Sequence, residues 1–202
     1  SLFLVQWRHK TVMDLIQTAS GGCDDKIGGI AKMWIGRNSE LTGLTLTAMA
    51  GTPAPGYEIT AMTMSADYLG IYEFSDNKTA FVNETPGDVG APNEIQISVE
   101  YEGLTAEKIY KLNLLKSECK LFAFIKYKSG EIRLFGIDIT APATSTYQDG
   151  TTVLIAKPGS QSGTGNNDYE KATLELVGQM KYLGYHCKTA TFGETQLDAL
   201  AA

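Results

Sequence analysis

Apolar and polar residues alternate along much of this chain, and a period of two marks strands that bury one face. The clearest case is NEIQISVEYEG (93–103). Ile95, Ile97, Val99 and Tyr101 face one way, while Glu94, Gln96, Ser98, Glu100 and Glu102 face the other. One surface belongs to a core and the opposite one is polar and acidic. Further strands are predicted at IAKMWIG (30–36), LTLTA (44–48) and YEITAMTMS (57–65), the last with Ile59 and Ala61 on one side and Thr60, Met62 and Met64 on the other. IYEFS (71–75) and TAFVNE (79–84) flank Asp76-Asn77-Lys78 as a hairpin. KLFAFIKYKSGEIRLFGIDI (120–139) reads as two strands joined at Ser129-Gly130. TVLIA (152–156) and the stretch 169–180, where Ala172, Leu174 and Leu176 alternate, complete the set, with KYLGYHC (181–187) extending the last strand.

Helical periodicity is clearest at 105–118. Thr105 supplies a cap, Glu107 sits in the first turn, and Ile109, Leu112 and Leu115 form the buried stripe. Around Lys10 to Ala19, Val12, Leu15, Ile16 and Ala19 share a face, as a helix or as an arm that orders on a neighbour. Ser20-Gly-Gly-Cys-Asp-Asp25 then interrupts the pattern, GTPAPG (51–56) forces a turn, and 85–93 is a loop with two prolines and two glycines. The predicted fold is mainly β (α+β), a sandwich or barrel of antiparallel strands with one packed α-helix. Residues 1–22 form an N-terminal arm or helix, 23–187 a single β-rich domain, and 188–202 a C-terminal tail.

Composition narrows the function classes. The 202 residues are 43% hydrophobic and 20% charged, which suits an ordinary folded domain. A formal charge of -6 gives no general attraction to nucleic acid. No apolar run approaches the roughly 20 residues of a membrane-spanning helix, so no membrane partner is expected. Ser1 to Val5 is too short for a signal-peptide core, and Cys23 lacks the apolar lead of a lipoprotein, so the expected product is cytosolic. Cys23, Cys119 and Cys187 are odd in number and widely spaced, which argues against a disulfide framework. Joined by His186 they could supply four metal ligands, but the spacing matches no known pattern, and no metal or cofactor is assigned.

Catalytic constellations are equally scarce. The glycine-rich KPGSQSGTGNND (157–168) has its lysine before the glycines and a strand-patterned segment after them, unlike a phosphate-binding loop. His9 and His186 are the two histidines, and neither lies in a triad motif. Asp24 and Asp25 sit in a turn, where solvation or capping explains them. Glu73, Glu84, Glu94, Glu100 and Glu102 could be read as glycosidase carboxylates, but strand alternation accounts for the last three. The aromatics and lysines of KLFAFIKYKSG suggest an RNA-binding strand, against which the net charge stands. No catalytic residue is assigned.

Two stretches carry a family likeness. CDDKIGGIAKMWIGRNSELTGLTL (23–46) resembles the opening of small structural proteins of phages infecting Bacteroidetes-type hosts. The order of IYEFSDNKTAFVNE, the long strand and helix from 93, the 120–139 hairpin and NDYEKATLELVGQMK resembles the tail tube proteins of long-tailed phages, which are related to tubes of contractile injection systems. The likeness spans most of 23–187 and rests on patterning. It implies a virion protein, made in the host cytoplasm, that forms a homo-oligomeric ring (a hexamer is one candidate) stacked into a tube beside other virion proteins. DNA would pass through without specific binding. On that reading Glu94, Glu100 and Glu102 line the channel, and Gly159, Ser160, Gln161, Ser162, Gly163, Thr164, Gly165 and Asn166 form a loop between subunits. Two other classes stay open: a head-tail connector, tail terminator or capsid decoration protein, and a ligand- or carbohydrate-binding β-sandwich module.

Overall fold

A computed structural model describes residues 29–48, 57–65, 69–73, 80–102, 105–118, 120–137, 154–161, 171–181 and 184–201. The proposed N-terminal arm and the helical pattern at 10–19 lie outside these residues. The chain is mainly β, as the alternation predicts. Strands β1 (Ile30–Arg37), β2 (Leu41–Ala48), β3 (Tyr57–Met64) and β4 (Gly70–Glu73) come first, with a short 3-10 turn at Asn38–Glu40. Then follow β5 (Ala80–Thr85), β6 (Asn93–Glu102), helix α1 (Ala106–Ser117), β7 (Leu121–Tyr127) and β8 (Ile132–Phe135). Strands β9 (Ile155–Gln161), β10 (Lys171–Met180) and β11 (Tyr185–Cys187) lead to helix α2 (Glu194–Ala199).

Two sheets stack. A seven-stranded sheet runs β2-β3-β11-β8-β7-β1-β4 and a four-stranded sheet runs β5-β6-β10-β9. All pairings are antiparallel except β11 with β3. Between the sheets lies a first core. Ile95, Ile97, Val99, Leu174 and Leu176 meet Met33, Ile35, Leu121, Ala123 and Ile125, and Leu112 and Leu115 of α1 join them. Each buried aliphatic side chain contributes about 1.5–3 kcal/mol of transfer free energy. A second core occupies the other face of the larger sheet, where Trp34, Phe122, Phe124 and Leu134 pack with Leu44, Leu46, Ile59, Met62, Phe192 and Leu197.

Several expectations are corrected. Strands β4 and β5 do not form a hairpin: β4 pairs with β1 and β5 with β6, so the chain crosses between sheets there. Residues 185–187 do not extend β10 but form β11 in the other sheet, between β3 and β8. Ile109 stands exposed beside Tyr110, leaving Leu112 and Leu115 as the buried stripe of α1. Ile59 and Met62 share the second core despite their odd spacing, because the pairing jumps from Thr45↔Ala61 to Leu46↔Ile59. Thr60 is the extra residue of a bulge, which inverts the facing of everything after it. A similar shift at Ala31 puts Ile30 and Met33 in the first core and turns Lys32 and Trp34 the other way. The Ser129-Gly130 turn is as predicted: Gly130 has φ +90 and its N–H donates to the Tyr127 carbonyl at 2.9 Å.

The segment expected to be a C-terminal tail folds. Phe192 and Leu197 are buried in the second core, and α2 carries Glu194 and Asp198 one turn apart. These straddle Lys32, whose ammonium lies 2.8 Å from the Asp198 carboxylate and 3.3 Å from that of Glu194. Lys126 also donates to Glu194, and the Trp34 indole N–H donates to Asp198 Oδ1 at 2.9 Å. Lys32 is only 6% exposed, so this carboxylate pair compensates a charge that would otherwise be prohibitive in a core-facing strand position. On the first-core side of the larger sheet, Glu84 of β5 reaches across to Arg133 at 3.0 Å and accepts the Gly184 N–H at 3.1 Å.

Candidate assembly surface

The four-stranded sheet presents its second face to solvent, and strand parity determines what that face carries. Along β6 it is Glu94, Gln96, Ser98 and Glu100; along β10 it is Lys171, Thr173, Glu175, Val177 and Gln179. Strand β5 adds Phe81, Asn83 and Thr85, and β9 adds Ile155, Lys157 and Gly159. In register these form rows across the sheet. Phe81, Ser98, Glu175 and Lys157 make one row, and Asn83, Gln96, Val177 and Ile155 the next.

The face is less acidic than the β6 pattern alone suggests. Glu100 lies 3.6 Å from Lys171 Nζ, and both side chains are well solvated, a pairing worth at most about 1 kcal/mol. Glu175 stands opposite Lys157 and accepts a hydrogen bond from Gln96 Nε2 at 3.2 Å. Glu94 is exposed near the end of the sheet, opposite Thr85 and Gln179. Glu102 is opposite Lys171 in the ladder, and its side chain lies outside the described residues. The lysines that balance this face come from β9 and β10, so reading β6 in isolation overstates its charge.

Strands β5 and β9 are the outer strands of this sheet. The loop expected to begin at 157 begins later, since Lys157 to Gln161 continue β9 and pair with β10. Pro158 and Gly159 are compatible with that place because an edge strand is hydrogen-bonded on one side only. Thus Gly159, Ser160 and Gln161 belong to a strand edge, while Ser162, Gly163, Thr164, Gly165 and Asn166 lie outside the described residues. The two outer strands also carry exposed large apolar side chains, Phe81 at 53% and Ile155 at 49% exposure, on the same face. Helix α1 flanks β9, and a groove of about 200 Å³ separates Ile109, Leu112 and Lys116 from Pro158, Gly159 and Ser160.

The other candidates resolve into structural roles. Phe122 and Phe124 are fully buried and meet edge to face at 6.0 Å, so they cannot stack on bases. His186 and Cys187 are successive strand residues and point to opposite faces. Cys187 lies in the second core, where burial pushes its thiol well above the usual range, and His186 Nδ1 sits 2.7 Å from Glu131 Oε1 at the surface. They cannot ligate one ion together. Cys23, Asp24, Asp25, Cys119 and His9 lie outside the described residues, and among those described no group of three or more histidine, cysteine or acidic side chains is arranged to hold a metal. Glu84 is committed to Arg133 and Gly184. Likewise, no described helix is long and apolar enough to cross a membrane. No protein family, no curated protein and no solved structure matches the chain.

Proposed function

We propose that this protein is a structural subunit that closes into rings and stacks them as the tube of a phage tail, with DNA passing through the bore. One observation carries the reading: a four-stranded antiparallel sheet, packed on one face, has its other face in water, and among the described residues its outer strands β5 and β9 are each paired on one side only. Exposed edges of this kind invite pairing with another chain, and closing a ring removes them. Contact between two different edges is heterologous, the type that generates rings when the rotation closes.

In such a ring the solvent-facing rows of the four-stranded sheet would line the channel, with Glu94, Glu100 and Glu102 among them. Small hydroxyl and amide side chains at Ser98, Thr173, Gln96 and Gln179 would complete a wall of mixed, low net charge. DNA phosphates gain little from such a wall, since tight non-specific binding needs a surplus of Lys and Arg. The test is solution mass across concentration with negative-stain electron microscopy of the same fractions. Rings or tubes with a central hole are expected. A discrete ring that never stacks would instead favour a connector or terminator, and a monomer at every concentration would overturn the assembly reading.

A further inference from the structure

We propose that the cleft between β9 and α1 receives β5 of a second copy of this chain, in one register that sets Asn83 opposite Lys157. This rests on the ring reading above and specifies its lateral contact. The strand directions come first. Successive strands in the order β5-β6-β10-β9 are all antiparallel, so with four of them β9 runs opposite to β5. In a ring whose copies share one orientation, β5 of a neighbour therefore meets β9 antiparallel and continues the ladder without a reversal.

Facing limits the register to every second offset. Phe81, Asn83 and Thr85 must stay on the same side as Ile155, Lys157 and Gly159, because a one-residue slip would send Ala80 and Val82 out of the first core. The available length selects among what remains. Leu154, just before β9, already exchanges both backbone hydrogen bonds with Leu121 of β7, at 2.9 and 3.1 Å. Among the described residues the free stretch of edge is therefore Ile155–Gln161. A single face-preserving register lays all of Ala80–Thr85 within it, pairing Phe81 with Gly159, Asn83 with Lys157 and Thr85 with Ile155.

That register also suits the side chains. The Phe81 ring would lie over Gly159, which has no side chain of its own; aromatic cover of an edge glycine is a recurrent device in sheets. Thr173 Oγ1 already leans into this gap, 2.5 Å from where a Cβ on Gly159 would stand. On the inner side Ala80 and Val82 keep their own core, so docking needs no repacking. Gly159 and Ser160 are exposed on the open rim, and Ile109 of α1, 42% exposed, lines the same groove. Strand addition of this kind takes its affinity from main-chain bonds and its register from alternate side chains.

Engineered cysteine pairs test the register on the full chain. N83C/K157C and T85C/I155C are directly opposite pairs at exposed positions, and T85C/K157C is the control shifted by two residues. Opposite Cβ atoms lie about 4.5–5.5 Å apart and shifted ones farther, so oxidation should link the first two pairs far faster. Each variant is first checked for assembly, and mass spectrometry assigns each disulfide, separating it from native Cys23, Cys119 and Cys187. The expected result is covalent ladders of copies joined through 83–157 and 85–155. Assembled protein that links only the shifted pair, or none, overturns the register while leaving ring formation standing. A parent chain that never assembles overturns both.

Discussion

Replacing Asp198 by alanine should release the C-terminal helix more than its surface position suggests. The carboxylate holds two groups that have left water: the Lys32 ammonium at 2.8 Å and the indole N–H of the fully buried Trp34 at 2.9 Å. Removing one partner of a buried ion pair costs about 3–5 kcal/mol, because the other charge stays behind uncompensated. Here Glu194 still faces Lys32 and the Asp198 side chain is more than a third exposed, so solvent recovers part of the loss. An orphaned Trp34 donor adds about 1–3 kcal/mol. We expect about 2–3 kcal/mol in total from Asp198→Ala. Lys32→Met should cost less, about 0–1 kcal/mol, since it removes the buried charge instead of stranding it. The double variant should be milder than the sum of the singles by about 1–2 kcal/mol. Urea unfolding followed by far-ultraviolet circular dichroism measures all three. If Asp198→Ala stays within about 0.5 kcal/mol of the parent, or the pair is additive within about 0.3 kcal/mol, the cluster is not the energetic unit described.

Acid should loosen the same helix. The hydrogen bond from Lys126 holds Glu194 below the ordinary glutamate value of 4.5, with Lys32 helping against the opposing effect of burial. A depressed folded-state pKa gives stability that is present above the ordinary value and lost as pH falls through the folded one. The urea midpoint of the parent should therefore fall more steeply below pH 4.5 than that of Glu194→Gln, and parallel curves would refute this. Two glycines of equal φ should differ under substitution. Gly136→Ala places a Cβ 2.7 Å from the Leu121 carbonyl oxygen and 2.8 Å from Leu154, whereas Gly130→Ala meets nothing within 4 Å. Gly130→Ala should cost about 1 kcal/mol of left-handed strain, with Gly136→Ala costing clearly more by thermal unfolding. Finally, Leu174→Ala in the first core should cost about 3 kcal/mol, while Thr173→Ala on the outer face stays within about 0.5 kcal/mol, in the same urea assay.

Much of the fold was legible because most strands bury one face. Alternation alone places β6 and β10 and assigns their inner residues, and the spacing of Leu112 and Leu115 gives the buried stripe of α1. What alternation cannot show is a bulge. Ala31 and Thr60 each shift the facing of the residues around them, and a local pattern carries no mark of which residue the partner strand will skip. Nor does it show which sheet a strand joins: β4 and β5 read as neighbours and pair with β1 and β6. Helix α2 is six residues long, too short for a periodic signal. One sign was present elsewhere in the chain. Lys32 interrupts an otherwise apolar strand, and a lysine buried there requires acidic partners from some other segment, which Glu194 and Asp198 provide.

The candidate surface was hidden by the same limit, because Pro158-Gly159 has the composition of a loop and takes its conformation from β10 beside it. That choice of residues bears on the lateral contact. A proline on an edge withholds one donor, and a neighbouring lysine discourages casual strand pairing, both familiar ways of keeping an edge from aggregating. Strand β4, at one side of the larger sheet, is protected differently, by being four residues long. The β9 edge is thus guarded in its centre yet open at Gly159 and Ser160, with α1 as a second wall. An edge defended against any strand would keep its charge and leave no gap for a ring. An edge meant for one strand needs discrimination as well as attraction. Phe81, exposed on the opposite edge of the same sheet, matches the glycine gap in the one register that the Leu121–Leu154 bridge leaves available. The features that make β9 a poor general template are therefore the ones that would make it selective for another copy of its own chain.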